Sequence, residues 1–315
     1  MNPLAEIIDA GMFTTLQDMG RPNARHLGVP LSGAADPLSL SLTNAALGNA
    51  AHAAGLECTL IGPTIRFLQA GAIAIGGAEM RARLNKALCP LYKELKVSAG
   101  DELALTAAEI GARTYIAFAG GLSGAAFLGS VSTYVPAEIG GYAGRKLEQN
   151  DRLFSAKGPV KSPRDIPSEM KLRLAHEFVL RALPGPEAES IGEEETERFF
   201  TARWTASRRA DRMGAMLEGD RLNLPPSPPI SSSPVFPGTV QCPPDGAPFL
   251  LLCDAQTVGG YPRIAQVINA DLSLTGQIRP GDHVWFRKIS ADAAREIAEQ
   301  KTTLYGDLFP GGFFR

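Results

Sequence analysis

The sequence predicts a mainly β protein built from two related β-domains with a few short helices. Its strongest periodic signals alternate with period two, as half-buried strands do. Glycine (33 residues) and proline (24) are plentiful enough to supply many tight turns. A turn-then-strand unit also recurs in both halves. AGDELAL (99–105), QNDRLFS (149–155), EGDRLNL (218–224) and PGDHVWF (280–286) each place Gly or Asn before Asp and then launch an alternating run. A second echo, GGYAGR (140–145) against GGYPR (259–263), sets two glycines, a tyrosine and an arginine in each half. At 315 residues and 33.4 kDa the chain exceeds what one core usually organises, so two domains are expected.

In chain order, the amino terminus MNPLAEIIDAGMF carries Glu6 and Asp9 where a secretory leader needs a basic stretch and an apolar run. No later segment approaches the length of a bilayer span, so a cytoplasmic location is expected. Asp36 caps DPLSLSLTNAALGN, Pro37 takes the first helical position, and Gly48 with Asn49 stops the helix, so that Leu38, Leu42 and Leu47 face a sheet. LECTL (56–60) reads as a strand. The polar, proline-containing SAKGPVKSPRDIPSEMK (155–171) reads as the interdomain connection, giving a first domain over 1–157, a linker over 158–171 and a second domain over 172–315. Ser190 and Glu193 are placed as a capping box ahead of EEETERFF. LPPSPPISSSPVFPG (224–238) reads as a long surface loop, and Ser290 opens the helix ADAAREIAEQ.

Composition and motifs exclude several functions. Apolar content of 44%, charged content of 20% and a formal net charge of -2 give no electrostatic footprint for nucleic acid or an anionic membrane, which leaves small molecules or proteins as partners. Cys58, Cys89, Cys242 and Cys253 lack CxxC spacing and read as structural thiols in a reducing compartment. No Walker-type GxxxxGK[ST] is present, and no GxGxxG opens a helix. His26, His52, His176 and His283 lie far apart, so no metal site is expected. A GxSxG elbow is also absent. SEMKL (168–172) is a poor biotin acceptor, because Lys171 follows the linker with no return strand to form a hairpin tip.

What remains are polar clusters at strand ends. The apolar run FLLLC gives way at once to DAQTVGGYPR, and TLQDMGRP, PLSGAADP, ASRRADRMG and TVQCPPDG have a similar character. Glycine pairs let the backbone approach a ligand, and amides beside arginines suit a carboxylate or a developing oxyanion.

Six blocks in order, TTLQDMGRPNARHLGVPLSGAADPLSLSLTNAALGN, GLECTLIGPTIRF, YIAFAGGL, LPGPEAE, DRMGAMLEG and LLLCDAQTVGGYPRIA, resemble the carboxyltransferase AB family, also called allophanate hydrolase subunit 2. The resemblance covers nearly the whole chain and implies two cyclophilin-like β-barrel domains. It departs at Cys242, where the family has Val, and at Cys253, where it has Ala; both exchanges keep a small apolar group. The positions that match are Arg21, Asp36, Asp211, Arg212, Gln241, Asp254, Gln256, Tyr261 and Arg263, with Gly259 and Gly260 beside them.

The resemblance implies one part of a multisubunit site. The leading expectation is the C subunit of an ATP-dependent 5-oxoprolinase, working with a KipI-like B subunit of the allophanate hydrolase subunit 1 family and with a separate A subunit. The location of ATP in such a complex stays open, and no biotin attachment site is expected on this chain. Two alternatives are a carboxyltransferase acting on urea or a related amide with carboxybiotin, and a KipA-like regulator that binds a KipI-like kinase inhibitor. For a small amide substrate, Asp254 is expected to accept a proton, Gln256 to orient the amide, and Arg263 or Arg212 to clamp a carboxylate. Arg21, Asp36, Asp211, Gln241, Gly259, Gly260 and Tyr261 are expected to bind substrate.

Overall fold

The structure, a computed structural model, describes residues 2–224 and 230–310. The chain divides into two compact units: unit 1 comprises Met1–Pro22 and Ser32–Leu174, and unit 2 comprises Asn23–Leu31 and Ala175–Arg315. The excursion of residues 23–31 into the second unit has no signature in the sequence. No described helix is long and apolar enough to cross a membrane.

Unit 1 is built on two sheets. One runs in the order Arg152–Leu153, Ala5–Asp9, Thr64–Phe67, Glu102–Ala104, Arg83–Leu84, Ala87–Leu88, and the other in the order Phe13–Gln17, Gly55–Thr59, Arg113–Phe118, Gly71–Gly77, Leu95–Val97. All these pairings are antiparallel. The inward positions of both sheets, among them Ile7, Leu16, Leu56, Ile65, Phe67, Ile75, Leu103 and Ile116, make one buried apolar cluster. Helix Pro37–Ala45 packs on strands Gly71–Gly77 and Arg113–Phe118. Asp36 caps it by accepting from the Ser39 amide at 2.9 Å. Leu38, Leu42 and Leu47 are buried as expected, but so are Ser39, Ser41 and Thr43, because their hydroxyls find partners such as Ala51 O and Ser39 O.

The segment 158–171, read from sequence as a linker, lies along unit 1. The Lys161 amide donates to Gly48 O at 2.8 Å and the Arg164 amide to Ala45 O at 3.1 Å, which occupies carbonyls at the carboxyl end of the helix. Ile166 is buried there. Lys171 follows the short helical turn Ser168–Met170 and places its ammonium 5.5 Å from the centre of the Tyr92 ring.

Unit 2 is a closed barrel in the order Glu177–Pro184, Arg263–Val267, Thr239–Gln241, Phe249–Leu251, Gly214–Glu218, Trp204–Ala210, His283–Lys288 and back to the first strand. Only the closing pair, Glu177–Pro184 with His283–Lys288, is parallel among the described strands. Phe199 fills one end of the core, its ring centroid 4.6 Å from Phe286 and 5.8 Å from Trp204. Helix Ala291–Tyr305 is capped by Ser290, whose hydroxyl accepts from Ala293 N at 3.2 Å, and runs past the expected decapeptide.

Two local expectations need correction. The capping box of Ser190 and Glu193 does not form: Ser190 lies inside the short helix Ala188–Ile191 and donates to Glu187 O, and helix Glu193–Thr201 is entered through Gly192 at φ +102°. EGDRLNL does not launch a strand either. After Gly219 and Asp220 the Leu222 amide pairs with Gly246 O, Leu222 is buried, and the sequence runs into prolines from position 225. The other three turn-strand units do form. Of the stretch 224–238, residues 225–229 lie outside the described part, and Ser233–Pro234 pairs with Val258–Gly259.

Candidate functional site

Strand Phe249–Leu251 buries its apolar run and delivers the loop 252–262 at the end of the barrel of unit 2. The loop is held at its root by a buried ion pair. Arg212 Nε donates to Asp254 Oδ2 at 2.8 Å and Nη2 to Oδ1 at 3.1 Å, with both residues under one-tenth exposed. The backbone repeats the link, since Asp254 N donates to Arg212 O at 2.9 Å. Two-point contact with a planar guanidinium fixes both loops in one geometry. The groups expected as a carboxylate clamp, Arg212, and as a proton acceptor, Asp254, meet each other in this arrangement. The structure gives the pair a bracing role.

Beyond the brace the loop turns outward. Gln256 and Tyr261 are exposed, Tyr261 by 50%. Gln256 Nε2 donates to Gln241 Oε1 at 3.1 Å, and Gln241 Nε2 donates to Tyr261 O at 3.3 Å. Two carboxamides are thus chained from the barrel wall to the surface, and the Gln256 side-chain carbonyl has no partner among the described residues. Gly259 makes this packing possible, because a Cβ there would stand 2.6 Å from Gln241 Nε2. Gly260 lies next to it, exposed.

Arg263 begins the next strand and is paired with Glu187. Its Nε and Nη2 donate to Glu187 at 2.8 and 2.6 Å, its backbone amide adds a third bond to Glu187 at 2.9 Å, and Nη1 reaches Pro234 O at 2.9 Å. The Arg263 bonds hold the Glu187 carboxyl below its usual range, and the same pairing raises the Arg263 guanidinium above its own. Where a clamp is expected at Arg263, the structure places an internal pair that fixes the start of the strand.

Arg25, in the segment 23–31 of unit 2, takes the open place. Its Nη2 donates to Val235 O and lies 3.4 Å from both Gln256 O and Thr257 O, and its guanidinium stands 5.1 Å from the Phe236 ring centre. Burial pulls its proton affinity below the usual arginine value. It makes no ion pair among the described residues, and its buried Nη1 lacks a hydrogen-bond partner. A half-buried cation facing only carbonyls and a ring is short of negative charge. Sequence reasoning missed Arg25 and Glu187, although both lie inside blocks that carry the resemblance; that Glu187 pairs with Arg263 while Arg25 has no acidic partner among the described residues is visible only in three dimensions.

The remaining expected residues serve other purposes. Asp211 sits exposed in the turn between strands Trp204–Ala210 and Gly214–Glu218 and accepts from Met213 N at 2.7 Å. Asp36, in unit 1, is fully buried as the helix cap, beside a network in which Asp36 N donates to Tyr115 Oη and Tyr115 Oη donates to Glu57, each at 2.8 Å. Burial, then the charges of Glu57 and Asp36, push the Tyr115 hydroxyl well up. Arg21 is 1% exposed in unit 1, where Nε donates to Phe127 O at 3.0 Å and Nη2 to Ser132 O. Asp36 and Arg21, where substrate contact is expected, brace the helix and loop 127–132. Asp18 ties the same loop, accepting from Val131 N at 2.9 Å. Among the described residues no disulfide joins the four cysteines, three of which are buried, and burial ahead of the nearby charges of Asp245 and Glu195 pushes the Cys242 thiol up to about 12.

Known proteins resemble this chain along its length. The family model for the carboxyltransferase domain, subdomain A and B, matches residues 27–288. The C subunit of 5-oxoprolinase from Escherichia coli (strain K12) is 36% identical over 307 residues, covering 97% of this chain and 97% of that protein. The C subunit of 5-oxoprolinase from Haemophilus influenzae is 34% identical over 304 residues, covering 96% and 97%. Among solved structures, the urea amidolyase of K. lactis superimposes with a TM-score of 0.92 at 29% identity over 98% of this chain, which spans 20% of that much longer protein. The chain belongs to the family of the carboxyltransferase domain, subdomain A and B.

Proposed function

We propose that this chain is the C subunit of an ATP-dependent 5-oxoprolinase of the cytoplasm, opening 5-oxo-L-proline to L-glutamate together with a KipI-like B subunit and an A subunit. Two bacterial relatives of that name match it over 97% of their lengths. The observation that carries the site assignment is Arg25, a half-buried cation without a carboxylate, lying against the backbone of Gln256.

The chemistry sets the demands. A lactam is a poor electrophile because its nitrogen donates into the carbonyl; a phosphoryl group transferred from ATP to the lactam oxygen activates the ring carbon, one water adds there as the C–N bond breaks and the nitrogen takes a proton, and a second water cleaves the acyl phosphate to carboxylate and phosphate. Where ATP binds in the complex is not assigned to this chain. The residues here hold the ring. Arg25 takes the substrate carboxylate, which supplies the negative charge its surroundings lack. The Gln256 side-chain carbonyl accepts the lactam N–H, oriented by the bond from its Nε2 to Gln241. Arg212–Asp254 and Arg263–Glu187 hold the two ends of the loop, so that these groups are placed before substrate arrives.

A carboxyltransferase reading draws on the 0.92 TM-score to the urea amidolyase. It too brings a carboxylate to the site, because carboxybiotin donates one and carboxylated urea carries one, so the choice of substrate, and not Arg25 alone, separates the two readings. The test is the complete complex assayed for ATP-dependent loss of 5-oxoproline. Arg25→Gln is expected to raise KM for 5-oxoproline by about tenfold or more while the complex still assembles, from the loss of one charge-assisted pair worth about 1.5–3 kcal/mol. An unchanged KM removes Arg25 from the site.

A further inference from the structure

Away from loop 252–262, the barrel of unit 2 carries an open cavity of about 640 Å³, lined by Thr205, Ser207, Arg208, Arg209, Met216 and Glu218 with Arg221, Asp245 and the turn at Pro280 and Gly281. A volume of that order suits a small metabolite. The backbone explains why two arginines share it. Consecutive strand residues normally point to opposite faces, but the pairing of Trp204–Ala210 with Gly214–Glu218 slips between Ala206 and Ala210, and both Arg208 and Arg209 line the cavity.

The charges on this wall differ from the paired ones elsewhere in the unit. Arg181, Arg212, Arg221 and Arg263 each pair with a carboxylate. Arg208 and Arg209 have no side-chain partner among the described residues, and neither does Glu218 on the same wall. Two adjacent guanidinium groups repel, and a bound anion relieves that repulsion. Arginine forks match a carboxylate or a phosphate equally well. Glu218 decides between them: it repels a polyanion and attracts an ammonium group. With Arg221 and Asp245 neutralising each other at 2.9 Å, the three open charges sum to one positive charge, complementary to a ligand with two carboxylates and one ammonium.

We propose that this cavity binds a free acidic α-amino acid, its carboxylates on Arg208 and Arg209 and its ammonium on Glu218. The inference rests on the cavity alone and not on the reaction proposed above, but that reaction would release such a molecule, which would make the cavity a product-sensing site. Titration calorimetry on the full chain, with no companion subunit and no turnover, separates the two questions. L-Glutamate is expected to bind, and to bind several-fold more tightly than glutarate, which keeps both carboxylates but has no ammonium. Arg208→Gln with Arg209→Gln is expected to weaken L-glutamate at least tenfold, and Glu218→Gln to erase the preference over glutarate. All three side chains are exposed, so the variants keep the fold. An absence of L-glutamate binding in the millimolar range overturns the proposal. So does tighter binding of inorganic pyrophosphate that Glu218→Gln strengthens, which would make this a phosphate site.

Discussion

Replacing Arg212 separates bracing from chemistry. Arg212 and Asp254 are both under one-tenth exposed and meet through two bonds of 2.8 and 3.1 Å. Removing one partner of such a pair leaves the other buried and uncompensated, at a cost of about 3–5 kcal/mol. In a unit of this size each kcal/mol lowers Tm by about 2–4 °C, so Arg212→Ala is expected to lose about 6–20 °C. Replacing both residues with apolar side chains of similar volume removes the stranded charge, so Arg212→Met with Asp254→Leu is expected to recover most of the loss. The assay is thermal and urea unfolding of the purified chain, read as a double-mutant cycle, beside activity of the complete complex. A destabilised but partly active double variant is the expected outcome. If Asp254→Ala leaves Tm unchanged while turnover vanishes, Asp254 acts in the reaction and the bracing assignment is wrong.

Other consequences are as direct. Gly259→Ala brings a methyl group to within 2.6 Å of Gln241 Nε2, so it is expected to displace the amide chain and lower kcat/KM by about ten- to a hundredfold with little change in Tm; unchanged kinetics would show that the chain is not used. Glu187 has a depressed folded-state value, so the stability it contributes is present above its unfolded value of about 4.3 and is lost as pH falls through the lower folded value. Glu187→Gln is accordingly expected to flatten that acid limb in a Tm-against-pH series, whereas a parallel curve would contradict the pairing. Leu42→Ala, fully buried in the unit 1 helix, is expected to cost about 2–5 kcal/mol in urea unfolding. Alkylation of the folded chain at neutral pH is expected to stop at Cys89, the one thiol that is not buried, as mass spectrometry of the labelled peptides would show.

Much of the architecture could be read in the chain because its signals are local. The helix from Pro37 declares itself by an aspartate cap and a proline at the first position, and three of the four turn-strand units form where an Asn or Gly takes positive φ, as at Gly100, Asn150 and Gly281. Local signals failed where a neighbour overrode them. Gly192 breaks the run that would have let Ser190 cap a helix, and Leu222 buries itself beside Gly246 instead of extending a strand. The candidate site was legible by residue type but not by role. Arg212 and Asp254 are 42 positions apart and Glu187 and Arg263 are 76 apart, so only the fold reveals that these charges neutralise one another. Arg25 shows the same gap from the other side: its importance lies in lacking an acidic partner, which no motif encodes.

The central claim is that Arg25 and the loop from Asp254 to Arg263 hold a cyclic amide bearing a carboxylate. The most direct measurement is ATP hydrolysis by this chain reconstituted with the A and B subunits of the proposed complex, with 5-oxoproline or urea added. The expected result is stimulation by 5-oxoproline with L-glutamate formed in proportion, no stimulation by urea, and a raised KM for 5-oxoproline in Arg25→Gln. Carboxylation of urea from carboxybiotin, with 5-oxoproline inert, would contradict it.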